Sequence, residues 1–246
     1  AEHKVGLIIS DWNMPRMNGM ALLKEVRNSS KWKNIPFIFL TSKSEIEDVA
    51  LASDVGVSGY LVKPVTIKAL ADSLAKVFER TFEEEFESIQ HNLKSMAKEG
   101  GIAAAEKVLR KMIDDYPNYS PRILFELSRL YMDVRDYEHA EAVICDVLVA
   151  MPMFSKGWEM LAKVRSWQAK WEEALVAADK AISISPNNTD YYLLRGSINL
   201  HREDMHEAKK SFMIALNIDR KNDQVKQDIW NAYIDMDLVD EVQSEF

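Results

Sequence analysis

The sequence of 246 residues predicts a multi-domain protein, with a partial α/β unit over residues 1–80 and an all-α stack of helical hairpins over residues 81–246. In the first part, short apolar runs alternate with amphipathic helical patterns, which predicts a parallel sheet covered by helices. In the second part, small residues and helix-ending prolines recur every 34–35 residues. A fixed period of this length is typical of helical hairpins that stack on one another.

Three apolar runs predict the strands of the first part, because each has strand length and is rich in branched or aromatic residues. They lie at residues 5–10, 36–41 and 59–62. Helical patterns are found at about residues 19–28, 44–55 and 66–80. Composition changes near residue 80 without a flexible or proline-rich linker, so we expect the last of these helices to continue into the first repeat.

The repeats are marked by four alanines in one phase: Ala105, Ala140, Ala174 and Ala208. Prolines follow the first three of them by 12 residues each, at positions 117, 152 and 186. These markers predict repeats at about 86–119, 121–154, 155–188 and 189–222, with a closing amphipathic helix at 223–236. A small residue on the second helix of a hairpin allows the two helices to approach closely.

The composition excludes some classes of binding partner and indicates where in the cell the protein is found. The net charge of −8 argues against nucleic acid, and no apolar run approaches the ~18 residues that a membrane span needs. A single cysteine, Cys145, builds no disulfide framework and fits a reducing compartment. We therefore expect a cytoplasmic protein that binds neither nucleic acid nor membrane.

Three polar residues stand where the predicted strands end. Asp11 follows the first run, Thr41 closes the second, and Lys63 follows the third. The carboxyl ends of parallel strands share one edge of a sheet, so these side chains are expected to converge there. A carboxylate that attacks phosphorus, a hydroxyl that donates and an ammonium that neutralises charge together suit a phosphoryl group. Each residue alone also fits an ordinary helix cap or turn.

Residues 5–80 resemble the later part of a chemotaxis-type response-regulator receiver domain, which has a flavodoxin-like fold. The resemblance is carried by Asp-x-Asn-Met-Pro-x-Met-Asn-Gly, Phe-Leu-Thr-Ser and Gly-Tyr-Leu-Val-Lys-Pro, which begin at residues 11, 39 and 59. It implies that Asp11 accepts a phosphoryl group from a histidine kinase or phosphotransfer protein, and that Thr41 and Lys63 bind that group. It also implies that Asp11 and the backbone carbonyl of Asn13 bind Mg²⁺, and that the switch region includes Ser42, Tyr60 and Pro64.

One part of the receiver pattern is missing. Receivers carry an acidic pair at the end of their first strand, but only ten residues precede Asp11. We therefore expect the unit to lack its first strand, first helix and second strand, together with the carboxylates that complete the Mg²⁺ site. Mg²⁺ binding is expected in a complete receiver and is expected to be weak or absent in this chain. In the family strand order, the missing first strand pairs with residues 5–10. We therefore expect this edge to be covered by another copy of the chain in a homodimer, by an exchanged segment or by a locally rearranged fold.

The repeats resemble the tetratricopeptide repeat: Gly196 and Tyr131 fit family positions, whereas Arg165 and Asn199 depart from them. The resemblance implies a superhelix whose first helices line a groove for a peptide or protein ligand. The residues expected in this groove are Lys94, Lys98, Arg122, Phe125, Arg129, Lys156, Lys163 and Trp167. Their charge favours an acidic ligand. The alternatives are solvated helix faces, or a groove occupied by the chain's own acidic stretch.

The leading hypothesis is a two-component response regulator, in which phosphorylation of the receiver regulates protein binding by the repeats. The alternative is a phosphorylation-independent scaffold that uses the receiver part as a dimerisation element. Beyond the phosphoacceptor, the sequence contains no nucleophile–base arrangement, glycine-rich phosphate loop or metal-ligand cluster, so we expect no enzyme.

Overall fold

The computed structural model describes residues 5–42 and 55–238. The chain forms two compact units, Ala1–His91 and Asn92–Phe246. The division lies beyond residue 80, where composition changes, because one helix runs from Ile67 to Gly100. This helix contains no proline, and no glycine before its last residue, so nothing in its sequence ends it earlier.

The first unit contains a three-stranded parallel sheet in the order β1-β2-β3. The strands are β1 (Ile8–Asp11), β2 (Phe37–Thr41) and β3 (Gly59–Val62). The predicted parallel sheet is therefore confirmed. Among the described residues, β1 pairs with β2 and with no other strand. The helix predicted at about 44–55 lies almost entirely outside the described residues.

Helices cover both faces of this sheet. Helix α1 (Gly19–Asn28) begins where Asn18 accepts a hydrogen bond from the Ala21 amide at 2.8 Å. Its Leu23 and Val26 pack with alternate residues of β2, Phe37 and Phe39. On the other face, Ile38 and Leu61 pack with Val77 of helix α2 (Ile67–Gly100). Both faces of β2 are buried, as its continuous apolar run predicts.

The second unit continues from α2 as a series of helices. These are α3 (Ile102–Asp115), α4 (Ser120–Asp133), α5 (Tyr137–Ala150), α6 (Ser155–Trp167), α7 (Trp171–Ile184), α8 (Thr189–His201), α9 (Met205–Ile218) and α10 (Asp223–Ile234). A single 3₁₀ turn, Pro117–Tyr119, precedes α4. Helices α4 with α5, α6 with α7, and α8 with α9 pack as hairpins, and neighbouring hairpins pack on each other. The predicted all-α stack is confirmed.

The 34-residue period determines where the hairpins turn. Arg135, Ala169 and Glu203 are spaced by 34 residues and have φ values of 62°, 58° and 60°. Each lies in the three-residue turn between the two helices of a hairpin. The phase-marking alanines are fully buried on the second helices. No helix in the described part of the chain is both long enough and apolar enough to cross a membrane.

Candidate functional site

The carboxyl edge of the sheet brings the three predicted phosphoryl-binding residues onto adjacent strands. Asp11 is the last residue of β1 and pairs with Leu40. Thr41 is the last residue of β2 and pairs with Val62. Lys63 directly follows β3, and its amide donates to the Thr41 carbonyl at 2.8 Å. The parallel register therefore holds residues 11, 41 and 63 within about one residue of the same edge.

The ammonium of Lys63 forms an ion pair with Oδ1 of Asp11. The two side chains are 49% and 41% exposed, and Asp11 Oδ1 itself is buried. The solvent exposure of the carboxylate therefore lies on the side of Oδ2. A carboxylate with an accessible oxygen can act as a nucleophile toward an electrophilic phosphorus.

Thr41 is fully buried, and its hydroxyl donates to the Ser42 carbonyl at 3.1 Å. Of the residues expected to switch, Tyr60 is 49% exposed on β3 and Ser42 is half-buried after β2. Pro64 is exposed and follows a cis peptide bond. The structure thus places Tyr60 two residues before the end of β3, and Ser42 and Pro64 just after the ends of β2 and β3.

The segment after β1 is held close to the sheet. The Trp12 amide donates to the Leu40 carbonyl at 3.1 Å, and the Gly19 amide donates to the Trp12 carbonyl at 2.8 Å. A Cβ atom at Gly19 would lie 2.4 Å from the Asp11 carbonyl oxygen and 2.7 Å from Cε1 of Phe39. Sequence reasoning used Gly19 only as a motif residue, but the structure shows that a larger side chain does not fit beneath the site.

The described residues at this edge do not make a complete Mg²⁺ site. A hard divalent cation takes six or more oxygen ligands and favours several carboxylates. The described part of the chain holds no cluster of three or more His, Cys, Asp or Glu side chains suited to a metal ion. Asp11 is the carboxylate at the edge, its Oδ1 faces an ammonium, and Asn13 is exposed on the following segment. No chemical step is therefore assigned to a metal ion in this chain.

The predicted basic groove has paired charges. Lys94 lies 3.3 Å from Asp133, Arg129 lies 2.9 Å from Glu126, and Lys163 lies 2.5 Å from Glu159. These are distances from side-chain nitrogen to carboxylate oxygen. At least three of the six cations expected in the groove therefore have carboxylate partners within the described residues, and the basic strip stays a prediction. Two of these partners are three or four residues away on the same helix, a spacing that was visible in the sequence. The other three cations, Lys98, Arg122 and Lys156, are exposed.

The two aromatic residues predicted in the groove have partners within the chain. Phe125 is half-buried and makes an edge-on contact with Phe154, with ring centroids 5.0 Å apart. Both belong to the core shared by the α4–α5 and α6–α7 hairpins. Trp167 is 66% exposed and stacks on Tyr137, which begins α5. Phe125 therefore contributes to packing, whereas Trp167 lies at the turn between helices.

A charge cluster between two hairpins was missed by sequence reasoning. Glu141 on α5 lies 2.9 Å from Nε of Arg165 and 2.8 Å from Nζ of Lys170. Burial of the Glu141 carboxyl raises its pKa, but hydrogen bonds from Lys170 and Arg165 outweigh burial and hold that pKa below its ordinary value. The partners are 24 and 29 residues apart in sequence, so no local spacing signals them.

Comparisons with known proteins agree with both units. The family model for the response regulator receiver domain matches residues 1–75, and that for the tetratricopeptide repeat matches residues 189–222. Chemotaxis protein CheY-3 of Vibrio cholerae is 41% identical over 73 residues, which cover 30% of this chain and 56% of that protein. Chemotaxis protein CheY of Pseudomonas aeruginosa is 38% identical over 73 residues, covering 30% and 59%. The chain thus spans a little over half the length of these curated relatives.

Solved structures of MamA share the fold of the helical part. Two crystal structures align with TM-scores of 0.50 and 0.51 at 19% and 18% identity. They cover 62% and 64% of this chain, and 88% and 86% of the MamA chains. At this identity the likeness concerns the fold alone. Residues 1–75 therefore match the response-regulator receiver family and residues 189–222 match the tetratricopeptide repeat, as the motifs and the period predict.

Proposed function

We propose that this protein is a response regulator in which Asp11 accepts a phosphoryl group from a histidine kinase or phosphotransfer protein. In this proposal the phosphorylation state regulates the binding of another protein by the repeats. The observation that carries it is the ion pair between Lys63 and Asp11 at the carboxyl edge of the sheet. The pair lies within the residues that match the receiver family.

The proposed transfer uses three side chains. The exposed oxygen of Asp11 attacks phosphorus, an O–P bond forms, and the N–P bond to the donor histidine breaks. The ammonium of Lys63 lies beside the attacking carboxylate and neutralises charge on the phosphoryl oxygens. The hydroxyl of Thr41 donates to the Ser42 carbonyl in the present state. On phosphorylation it exchanges that acceptor for a phosphoryl oxygen.

The proposed output begins at Thr41 and Lys63. The backbone hydrogen bond from Lys63 to Thr41 ties the end of β3 to the end of β2. A shift of Thr41 toward the phosphoryl group therefore moves the segment that enters α2. Because α2 is continuous from Ile67 to Gly100, we propose that this helix transmits the bias to the repeats.

The test is phosphoryl transfer to the longest natural protein that contains this chain. Incubation with acetyl phosphate and Mg²⁺, followed by intact-mass measurement, is expected to show one added phosphoryl group. Asp11→Asn is expected to remain unlabelled, and Asp72→Asn, an exposed change on α2, is expected to be labelled like the natural protein. An unlabelled natural protein would reject the phosphoryl-accepting role.

For the repeats, we propose a role in binding a protein or peptide in the cytoplasm, without enzyme activity. An acidic ligand on the first helices stays a prediction, and it would have to compete with Glu126, Glu159 and Asp133 for their cations. Exchanging Lys94, Arg129 and Lys163 for glutamate is expected to abolish capture of such a ligand. Unchanged capture would rule out this face.

The second candidate function is a scaffold that assembles through β1 without phosphorylation. It is favoured by the side chains of Val5 and Ile9, which are 48% and 41% exposed, and by the position of β1 at the sheet edge among the described residues. Light scattering of the unphosphorylated protein is expected to show a dimer that Ile9→Lys dissociates. A monomer would reject this candidate.

A further inference from the structure

The segment that follows Asp11 contains a strained turn centred on Arg16. The Met17 amide donates to the Pro15 carbonyl at 2.9 Å, and Arg16 between them has a φ of 72°. A bond from residue i+2 back to residue i, with positive φ at the central residue, makes the rare and strained form of the γ-turn. Glycine adopts such a φ without steric cost, whereas the Cβ of any other residue crowds its own backbone. An arginine at this position is therefore unexpected on local grounds.

The other non-glycine residues with positive φ in the described part of the chain lie at the ends of helices. Arg135, Ala169 and Glu203 occupy the hairpin turns, where the packing of two helices imposes the conformation. Asp237 follows the end of α10. Arg16 instead lies three residues before α1 begins, so no helix end accounts for its backbone. Strain of this kind is typical of functional sites, where the side chain has a task that outweighs its cost.

The side chain of Arg16 is exposed, and within residues 5–42 and 55–238 it has no hydrogen-bond or salt-bridge partner. Two other cations of the first unit are engaged. Lys63 pairs with Asp11, and Arg27 donates to the carbonyls of a neighbouring loop. The strained backbone of Arg16 is therefore not offset by a contact of its side chain with the described chain.

The loop holds Arg16 close to the carboxyl edge of the sheet. The Trp12 amide bonds the Leu40 carbonyl at one end of the loop, and the Gly19 amide bonds the Trp12 carbonyl at the other. Gly19 lies so close to Asp11 that an added Cβ would be 2.4 Å from the Asp11 carbonyl oxygen. Arg16 is three residues from Gly19, and three residues span at most about 11 Å. The guanidinium therefore belongs to the surroundings of the Asp11 carboxylate.

We infer that Arg16 binds the phosphoryl group of the incoming donor beside Asp11, an inference that rests on the phosphoryl-accepting role proposed above. A phosphoryl group is an anion, so its approach to a carboxylate brings like charges together. Lys63 offsets the charge of Asp11, and Arg16 supplies a second cation for the phosphoryl oxygens. The planar guanidinium can donate two parallel hydrogen bonds to such an anion. The unpartnered arginine and its strained turn are then explained together.

The first test is the binding of acetylphosphonate to this chain. In this analogue of acetyl phosphate, a carbon–phosphorus bond replaces the oxygen–phosphorus bond that breaks in transfer, so binding is measured without reaction. Acetylphosphonate is expected to shift the NMR signal of the Trp12 indole N–H, which is one of six such signals and is assigned by its loss in Trp12→Phe. Pyruvate, which carries a carboxylate in place of the phosphonate, is expected to leave this signal unchanged.

Variants test the role of the guanidinium. Arg16→Gln is expected to weaken acetylphosphonate binding about fivefold, the loss that corresponds to one exposed charge pair. In the longest natural protein that contains this chain, the same variant is expected to raise the KM for acetyl phosphate by a similar factor and to leave kcat nearly unchanged. The matched control is Lys24→Gln, which removes an exposed cation of α1 and is expected to change neither value.

Arg16→Gly separates strain from binding. Since glycine adopts a φ of 72° without steric cost, this variant is expected to raise the urea midpoint of unfolding. It is also expected to weaken acetylphosphonate as much as Arg16→Gln does. A lower midpoint would overturn the inference, because the arginine would then serve the fold.

Other results would also overturn it. These are an affinity for acetylphosphonate that is unchanged in Arg16→Gln, an equal affinity for pyruvate, or an equal loss in Lys24→Gln. If the natural protein is labelled by acetyl phosphate with the same KM in Arg16→Gln, the inference fails while the phosphoryl-accepting role stands. If the natural protein stays unlabelled but acetylphosphonate binding still depends on Arg16, that role fails while the binding site stands. Circular dichroism of each variant verifies that it is folded.

Discussion

The Cα of Gly196 on α8 lies directly against the ring of Phe212 on α9. A Cβ atom at Gly196 would be 2.3 Å from Cε1 of this fully buried ring. Gly196→Ala is therefore expected to lower the free energy of unfolding by about 1–3 kcal/mol, because overpacking outweighs the ~1 kcal/mol that alanine gains in a helix. Urea denaturation measures the change. Gly6→Ala is the control, since a Cβ there meets nothing within 4 Å; equal losses in both would contradict the packing argument.

Arg27 joins three loop carbonyls in the first unit. Its Nε and Nη2 atoms donate to the Gly56 carbonyl at 2.9 and 2.8 Å, and Nη1 donates to Lys33 and Ile35 at 3.0 and 2.9 Å. Arg27→Lys keeps the charge but loses the planar fork, so we expect a loss of about 1–3 kcal/mol in the free energy of unfolding. Arg16→Lys, at an exposed residue, is expected to leave the free energy of unfolding unchanged in the same urea titration. If Arg27→Lys leaves the free energy of unfolding unchanged, these carbonyls do not need the hydrogen bonds of the guanidinium.

Glu141 links hairpins through Arg165 and Lys170, so its contribution to stability depends on pH. The folded-state pKa is lowered from the ordinary 4.5, and the stabilisation is therefore present above that value and lost as pH falls through the folded pKa. Glu141→Gln is expected to cost about 1–2 kcal/mol at pH 7 and less at pH 3.5. Denaturation at both pH values measures the difference. The control is Glu87→Gln on the exposed surface of α2, which is expected to leave the free energy of unfolding unchanged at both pH values. If Glu141→Gln costs the same at pH 7 and pH 3.5, the charge pairing is not the cause of the loss.

His139 is expected to titrate above its ordinary value of 6.5, because the Asp136 carboxylate bonds its Nδ1 at 2.8 Å and raises its pKa. Any stabilisation from this pair is present below the unfolded-state pKa and lost as pH rises through the folded-state pKa. NMR titration of the imidazole signals measures the value. Asp136→Asn is expected to lower the pKa of His139 toward 6.5. A His139 pKa that does not move in Asp136→Asn would refute the assignment.

A substitution at Asp11 is expected to remove phosphoryl acceptance while the protein stays folded. The Asp11 and Lys63 side chains are about half-exposed, and exposed ion pairs contribute about 0–1 kcal/mol. Asp11→Asn is therefore expected to change the free energy of unfolding by less than about 1 kcal/mol while removing acetyl-phosphate labelling. A larger loss of stability would mean that the ion pair serves mainly to hold the sheet edge.

Local patterns account for most of the fold. The apolar runs place the three strands, and the Asn18 cap places the start of α1. The 34-residue period places the hairpins, because each repeat buries the same small residue in the same phase. The left-handed turn residues had no such signal, since Arg135, Ala169 and Glu203 are not residue types that favour positive φ. Packing of the two helices imposes that conformation on them.

For the candidate site as well, the sequence predicted some features and only the tertiary structure decided the others. The sequence alone determined that Asp11, Thr41 and Lys63 end parallel strands, because strand direction and the carboxyl-edge rule need only local pattern. Only the tertiary structure decided the partners of the charged groups, such as Asp133 for Lys94 and Glu141 for Arg165. The reason is physical: strands and hairpins form from neighbouring residues, whereas ion pairs and stacked rings depend on distances between surfaces that meet only when the repeats are packed.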